Sequence, residues 1–253
     1  MSEESQEVAA GRSLKVQKAM QGGSRLRRYG DLVVGSGRLR DILVYELLTG
    51  LLGGVPGMAG LFLRAKLYPL LFGGFGTGSL IGRNVTIRHP RRIVLGKDVV
   101  VDDNATLDAK GFSNRGITLG EGVYVGRNSI LYCKDGDITL EEKVNISHNC
   151  QLFSAGRLQI GAGTLVAGFA YIMSGGEYDI EGGTPLVEQE AGRPARATFV
   201  GRNCWIGGHA VLMDGTSVGD GTVIGAGAVV KGDLPGGVVA VGVPARPVRQ
   251  IRR

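Results

Sequence analysis

The sequence is poor in the residues that usually announce a site. It holds three cysteines, three histidines and one tryptophan in 253 residues, and aromatics make up 6%. Three cysteines cannot build a disulfide framework. The histidines, His89, His148 and His209, fall far apart along the chain, which argues against a shared metal sphere, so no metal is expected. Scarce aromatics remove the base-stacking platforms of single-strand binders. The net charge is +6, but the basic residues cluster at the two termini, so nucleic acid is not an expected partner. No G-x-x-x-x-G-K-[ST] phosphate loop occurs. No leader with a small-residue cleavage site is visible, which makes the cytoplasm the expected compartment.

Glycine is what the chain has in excess. Its 44 glycines are more than twice the average usage of about 7%, without the period of three that would signal collagen. The stretch "VGRNCWIGGHAVLMDGTSVGDGTVIGAGAVV", residues 200–230, puts an aliphatic residue at every sixth position: Val200, Ile206, Leu212, Val218, Ile224 and Val230. A period of six is neither helix nor strand but a larger unit laid down repeatedly, a solenoid. Glycine follows four of these aliphatics (Gly201, Gly207, Gly219, Gly225), as expected of tight corners where a positive φ is favoured. Four residues after each of the first five stands a small residue (Cys204, Ala210, Thr216, Thr222, Ala228). Large and small residues alternating inward would fill a narrow interior, with three hexads to a triangular coil.

The same template finds further triads upstream: Leu95, Val101, Leu107; Leu119, Val125, Leu131; Leu140, Ile146, Leu152; Ile160, Val166, Ile172. With a ragged first turn near Ile81 and Ile87, about seven coils are expected, stacking to roughly 34 Å. Cys150 falls at a small inward position, as Cys204 does, which gives both a structural role. The repeat is suspended over residues 173–199, and a long insertion in a solenoid is the first place to look for function.

Residues 1–79 read as a separate basic and apolar helical segment. Residues 1–40 carry eight Lys or Arg against four acids, and 44–76 is mostly apolar. Glu46, Pro56 and five glycines between positions 50 and 60 interrupt that run, so it is not a clean span of about 20 apolar residues. Two readings stay open. The segment packs as short helices over the open end of the solenoid and hides its unpaired strand edge. Or residues 12–76 make a peripheral membrane contact, with basic side chains on anionic headgroups at the inner face of the cell membrane.

The hexads, the stretch "NCWIGGHAVLMDGTSVGDGTVIGAGAVVKGDLP" and the closing "VAVGVPARPVRQI" resemble the hexapeptide-repeat acyltransferases, whose relatives acetylate galactosides, maltose and capsular sugars. The likeness covers residues 80–253. It implies an all-β domain, a left-handed parallel β-helix, with the N-terminal helical segment added to it. It also implies a homotrimer that uses acetyl-CoA without a metal, with sites between neighbouring prisms. By the same likeness, the cofactor would run past Trp205, Gly207, Gly208, Ala226, Gly227 and Lys231, with Arg246 and Arg249 near its phosphates. Trp205 as an aromatic packed at a subunit contact, and the two arginines as a solvated tail, are the plainer alternatives.

At the catalytic position the sequence departs from the family's pattern. Sugar-acetylating relatives carry a histidine at the start of the long loop, and here the matching position is Glu177. Asn149 matches an asparagine of the acceptor pocket, and His148 precedes it. One account makes Glu177 the general base, tuned or oriented by His148; a free Glu titrates near ~4.3, and desolvation raises it toward neutral pH. In the other account the loop has lost its base. The expected activity is O-acetylation of a sugar or lipid-linked saccharide in surface polysaccharide or glycolipid synthesis. Amino-sugar N-acetylation and a non-catalytic scaffold in an assembly complex remain as rivals.

Overall fold

The computed structural model describes residues 24–176, 178, 181–185 and 195–251. Its body is a left-handed parallel β-helix whose three walls are sheets of eight, nine and seven strands, parallel throughout except for the last strand of the second wall. The first wall begins at Gly74–Phe75, the second at Leu80–Ile81 and the third at Thr86–Arg88. The solenoid therefore starts before the repeat becomes legible at Ile81. Each chain turn adds one strand to every wall, so the seven strands of the third wall mark seven complete coils.

The inward aliphatics of successive coils stand in register. On the first wall Leu95 pairs with Leu119, Leu119 with Leu140, Leu140 with Ile160, Ile160 with Val200 and Val200 with Val218. Every triad residue is at most 3% exposed. Burying a side chain of this size is worth about 1.5–3 kcal/mol, so these columns supply the main cohesion of the fold. Cys150, Cys204, Ala210, Thr216, Thr222 and Ala228 are buried between the columns, where a larger side chain has no room. Thr164 shows how a polar one is accommodated: its hydroxyl donates to the Gly201 carbonyl at 2.8 Å and accepts from the Cys204 N–H at 3.1 Å.

The glycines after the aliphatics have a different cause from the one expected. None of Gly201, Gly207, Gly219 and Gly225 has a positive φ. A Cβ on Gly207 would stand 2.5 Å from the Ala226 nitrogen, and one on Gly201 would stand 2.7 Å from the Asp220 nitrogen, both in the next coil. Close stacking of backbone on backbone demands glycine there. The left-handed conformation falls two residues later, at Asn128, Asn149, Phe169, Asn203 and His209 among others. Asn tolerates it best of the non-glycine residues, whereas Phe is held there by its surroundings.

The N-terminal residues fold as a short helix α1 (Arg25–Tyr29), a wider turn (Gly30–Val34), α2 (Leu39–Leu52) and α3 (Gly57–Leu67). Their inner faces cover the first coil. Burial pushes the Tyr45 hydroxyl up to about 12, so it stays protonated, and it donates to the Ile87 carbonyl at 2.6 Å. Arg64, 1% exposed, donates from Nε to the Ile81 carbonyl at 2.8 Å. Its Nη1 donates to Leu52 and Val55 carbonyls at 2.8 and 2.9 Å. Tyr45 and the Arg64 Nε thus satisfy strand carbonyls at the open end, which would otherwise template pairing with another chain. At the other end, Ala245–Gln250 returns antiparallel to Val238–Gly242 and finishes the second wall. No described helix is long and apolar enough to cross a membrane.

Gly201→Ala is expected to cost about 1–3 kcal/mol through overpacking, measured by urea unfolding, whereas Asn203→Gly stays within about 1 kcal/mol because glycine accepts its left-handed backbone. Arg64→Met removes three hydrogen bonds, to the Ile81, Leu52 and Val55 carbonyls, and a loss of roughly 2–5 kcal/mol is expected; limited proteolysis of the variant should release the N-terminal helices first.

Candidate active site

The corner between the second and third walls stacks residues from coils four to seven into one ridge. Phe169 N–H donates to the His148 carbonyl at 3.2 Å, His209 N–H to Gly168 at 3.1 Å and Gly227 N–H to Gly208 at 2.9 Å. These bonds bring His148 and Asn149 into line with Gly207, Gly208, Ala226 and Gly227. The left-handed backbone at Asn149, Phe169 and His209 turns their side chains outward from the corner.

Three rings stack along the ridge. His148 meets Phe169 edge-on with centroids 5.7 Å apart, and Phe169 lies parallel to His209 at 4.9 Å. Ser147 Oγ is 3.1 Å from His148 Nδ1, and the ring rests against Gly168, where a Cβ would stand 3.2 Å from Nε2. The imidazole is thus oriented by its neighbours while remaining exposed, a suitable posture for a proton acceptor. Beyond His209 the ridge thins to Gly208, Ala226 and Gly227, and nothing lies within 4 Å of where a Gly227 Cβ would be. The result is a bare ledge about two coils long, roughly 10 Å.

Trp205 projects from the second wall beside this ledge, exposed, between Leu165 and Val223. In its row, Val223 pairs with Val239 and Val239 with Arg249, which puts Arg249 three strands from Trp205, roughly 14 Å. Arg246 lies on the same final strand, opposite Val241. Lys231 is exposed at the far edge of the third wall, across Val229 and Val230 from the ridge, so the structure separates it from the other candidates.

Glu177 lies outside the described residues. The ends of its loop are described, and they leave from the opposite edge of the third wall, after Tyr171–Ser174, and rejoin at Thr198–Val200. The interruption is therefore 175–197, slightly shorter than the repeat suggested. Asp214 clamps the two ends: its carboxylate accepts from the Gly175 N–H and from the Arg196 N–H at 3.1 Å, with Arg196 Nε at 3.3 Å. Sequence reasoning missed Asp214, since its partners are 18 and 39 residues away. Asn149 and Ser154 stand at opposite edges of the third wall, about 16 Å apart. In one chain, then, the root of the loop and the His148 ridge are separated by the width of a wall.

That wall carries a second feature the sequence reading passed over. Ile130, Tyr132, Phe153, Tyr171, Met173 and Val211 face outward on it, with the Tyr132 and Phe153 rings 5.3 Å apart. Apolar residues at the outward hexad positions were the available signal. The remaining histidine, His89, is buried far from the ridge, with Nε2 3.0 Å from the Asp31 carbonyl, and burial lowers its pKa. Among the described residues no three His, Cys, Asp or Glu side chains are grouped to hold a metal. A cavity of about 460 Å³ lies between α3 and the second wall, lined by Pro56, Leu61, Arg64, Leu80, Val100 and Asp103, at the N-terminal end and away from the ridge.

Residues 197–232 match the family model described as bacterial transferase hexapeptide (six repeats). The chain is 52% identical to a galactoside O-acetyltransferase of Escherichia coli K12 over 52 residues, 21% of this chain and 26% of that one. It is 33% identical to nodulation protein L of Rhizobium meliloti over 136 residues, 51% of this chain and 69% of that one. Across the galactoside enzyme and three other curated relatives, the chain spans between 26% and 61% of their lengths. A variant of AntD, an N-acyltransferase from Bacillus cereus solved with dTDP-4-amino-4,6-dideoxyglucose and coenzyme A, shares the fold. Its TM-score is 0.53 at 18% identity, over 75% of this chain and 89% of that one.

Burial raises the pKa of the Cys133, Cys150 and Cys204 thiols, which keeps them protonated and unreactive. Ellman's reagent is expected to leave all three untouched in the native protein and to titrate all three in urea. A fast-reacting native thiol would reopen a cysteine nucleophile.

Proposed function

The chain belongs to the hexapeptide-repeat acyltransferases, and on that footing we propose that it transfers an acetyl group from acetyl-CoA to a sugar hydroxyl in the making of a surface polysaccharide or glycolipid. Chief support comes from the bare ledge at Gly208, Ala226 and Gly227, with Trp205 on its flank and Arg249 about 14 Å along the same wall. A pantetheine arm is slim and needs a smooth floor; its phosphates need cations at one end. Arg246 and Arg249 are the cations this placement favours, and Lys231, set across the third wall, is the weakest of the candidates.

The reaction runs as a direct displacement. The acceptor hydroxyl attacks the thioester carbon, its proton passes to a general base, and the tetrahedral intermediate collapses to the acetyl ester and the CoA thiol. Asn149 positions the acceptor, Glu177 takes the proton with His148 oriented beside it, and a backbone N–H steadies the oxyanion. Because the loop root and the His148 ridge lie on opposite edges of the third wall, one prism cannot readily close the site. A second prism packed on the apolar third wall would bring its own ridge against the loop, which supports a homotrimer with sites between subunits. Acetyl-CoA is a cytoplasmic metabolite, so the reaction is placed on that side of the membrane.

Trp205, the single tryptophan, reports occupancy directly. Its emission should change saturably as coenzyme A is added, and Arg249→Ala should weaken that response. Glu177→Ala is expected to lower turnover by roughly 10²–10⁴-fold while leaving coenzyme A affinity unchanged. Retained turnover would pass the base role to His148, tested by His148→Ala. An amide in place of an ester product would make the acceptor an amine, and no coenzyme A binding at millimolar concentration would favour the scaffold reading.

A further inference from the structure

We propose that the outer face of the N-terminal helices is a docking surface for an anionic lipid bilayer. In α2 the residues Ile42, Tyr45 and Leu48 are buried against the first coil. Leu39, Leu43, Leu47 and Leu51 follow one another at intervals of four on the opposite side, and they are 58%, 59%, 59% and 66% exposed. A stripe from Leu39 to Leu51 is about 18 Å long at 1.5 Å per residue. In α3, Gly60 and Arg64 face inward, while Met58 and Phe62 lie outward, 87% and 63% exposed. The inner sides of both helices are fixed to the same coil by Tyr45 and Arg64, so their outer sides turn away from the solenoid. Six large apolar side chains thus stand exposed at one end of the molecule, with the Lys66 ammonium over the Phe62 ring 5.9 Å from its centroid. A soluble monomer rarely leaves so much apolar surface bare.

The charges around this face select the occupant. Arg25, Arg27, Arg38, Arg40 and Lys66 are exposed on these helices and their connections, against Asp31, Asp41 and Glu46. Two of those acids take hydroxyl hydrogen bonds, Asp41 from Ser36 and Glu46 from Tyr29, and Asp31 is 4.0 Å from Arg27. An apolar face with a cationic surround matches the acyl boundary of a bilayer and the anionic headgroups above it. A second copy of this chain is a poorer occupant, because docking like on like would set the Arg38 and Arg40 rims against each other. Residues 12–23 of the membrane-contact segment expected from the sequence lie outside the described residues; α2 and α3 carry the inference without them. It holds whether or not the ridge transfers acetyl groups.

The test is flotation of the full-length protein with vesicles of phosphatidylcholine alone and of phosphatidylcholine mixed with phosphatidylglycerol. The protein should float with the mixed vesicles and at least about tenfold less with the neutral ones. Leu43→Glu/Leu47→Glu should abolish flotation with unchanged melting temperature, since both side chains are already in water. Arg38→Gln/Arg40→Gln should weaken it by roughly fivefold per arginine, with a shallower salt dependence. Equal flotation on neutral vesicles would overturn the anionic surface, and flotation undiminished in the leucine variant would overturn the face itself. So would failure to bind either vesicle, and a leucine variant of smaller oligomeric mass in light scattering would then show that a second copy covers the leucines. Turnover of a water-soluble acceptor by that variant should be unchanged, which separates this result from any fault in the transferase reading.

Discussion

Backbone stacked on backbone at the spacing of hydrogen-bonded strands, about 4.8 Å, is the constraint on which the rest of this molecule depends. It decides where side chains are permitted at all. At Gly201 and Gly207, one residue after an inward aliphatic, the next coil passes too close for a Cβ, so glycine is required there for approach. Two residues later the chain turns through a left-handed corner, and there a side chain is free to project. The hexad is therefore a schedule of permitted exposure: Phe169 and His209 of the ridge stand at its projecting positions, and His148 one residue before the equivalent Asn149.

A solenoid built this way is indefinitely extensible, and its ends are its weakness. Both are closed here, by different means. The C-terminal end folds back as an antiparallel strand. The N-terminal end is capped by helices whose buried donors, Tyr45 and Arg64, take the place of the missing coil. Holding the inner faces of two apolar helices down on the first coil leaves their outer faces exposed among the described residues. The cap that protects one surface thereby creates another, and the surrounding arginines give that surface a sign.

In the proposed mechanism the chemistry is divided between the edges of a single wall. The ridge with His148 and Asn149 runs along one edge, and the loop clamped by Asp214 leaves from the other. The third wall between them is apolar and flat. In the proposed mechanism a neighbouring prism closes the space between ridge and loop, which links assembly to activity.

The interior was legible in the sequence because burial in a repeat is periodic: each inward triad residue, from Leu95 to Val230, could be found by counting sixes, and the small partners such as Cys150 and Ala210 by counting four more. The corner glycines were legible as necessary, but their cause was not, since the close approach is to the next coil and not to a neighbour in the chain. Asp214, the His148–Phe169–His209 stack and the outward faces of α2 and α3 belong to the tertiary structure alone. Coils of unequal length, with an interruption of more than twenty residues between Phe169 and His209, hide the alignment from any fixed period. Spacing along a chain determines which way a side chain points; only the stacking of the coils decides what it meets.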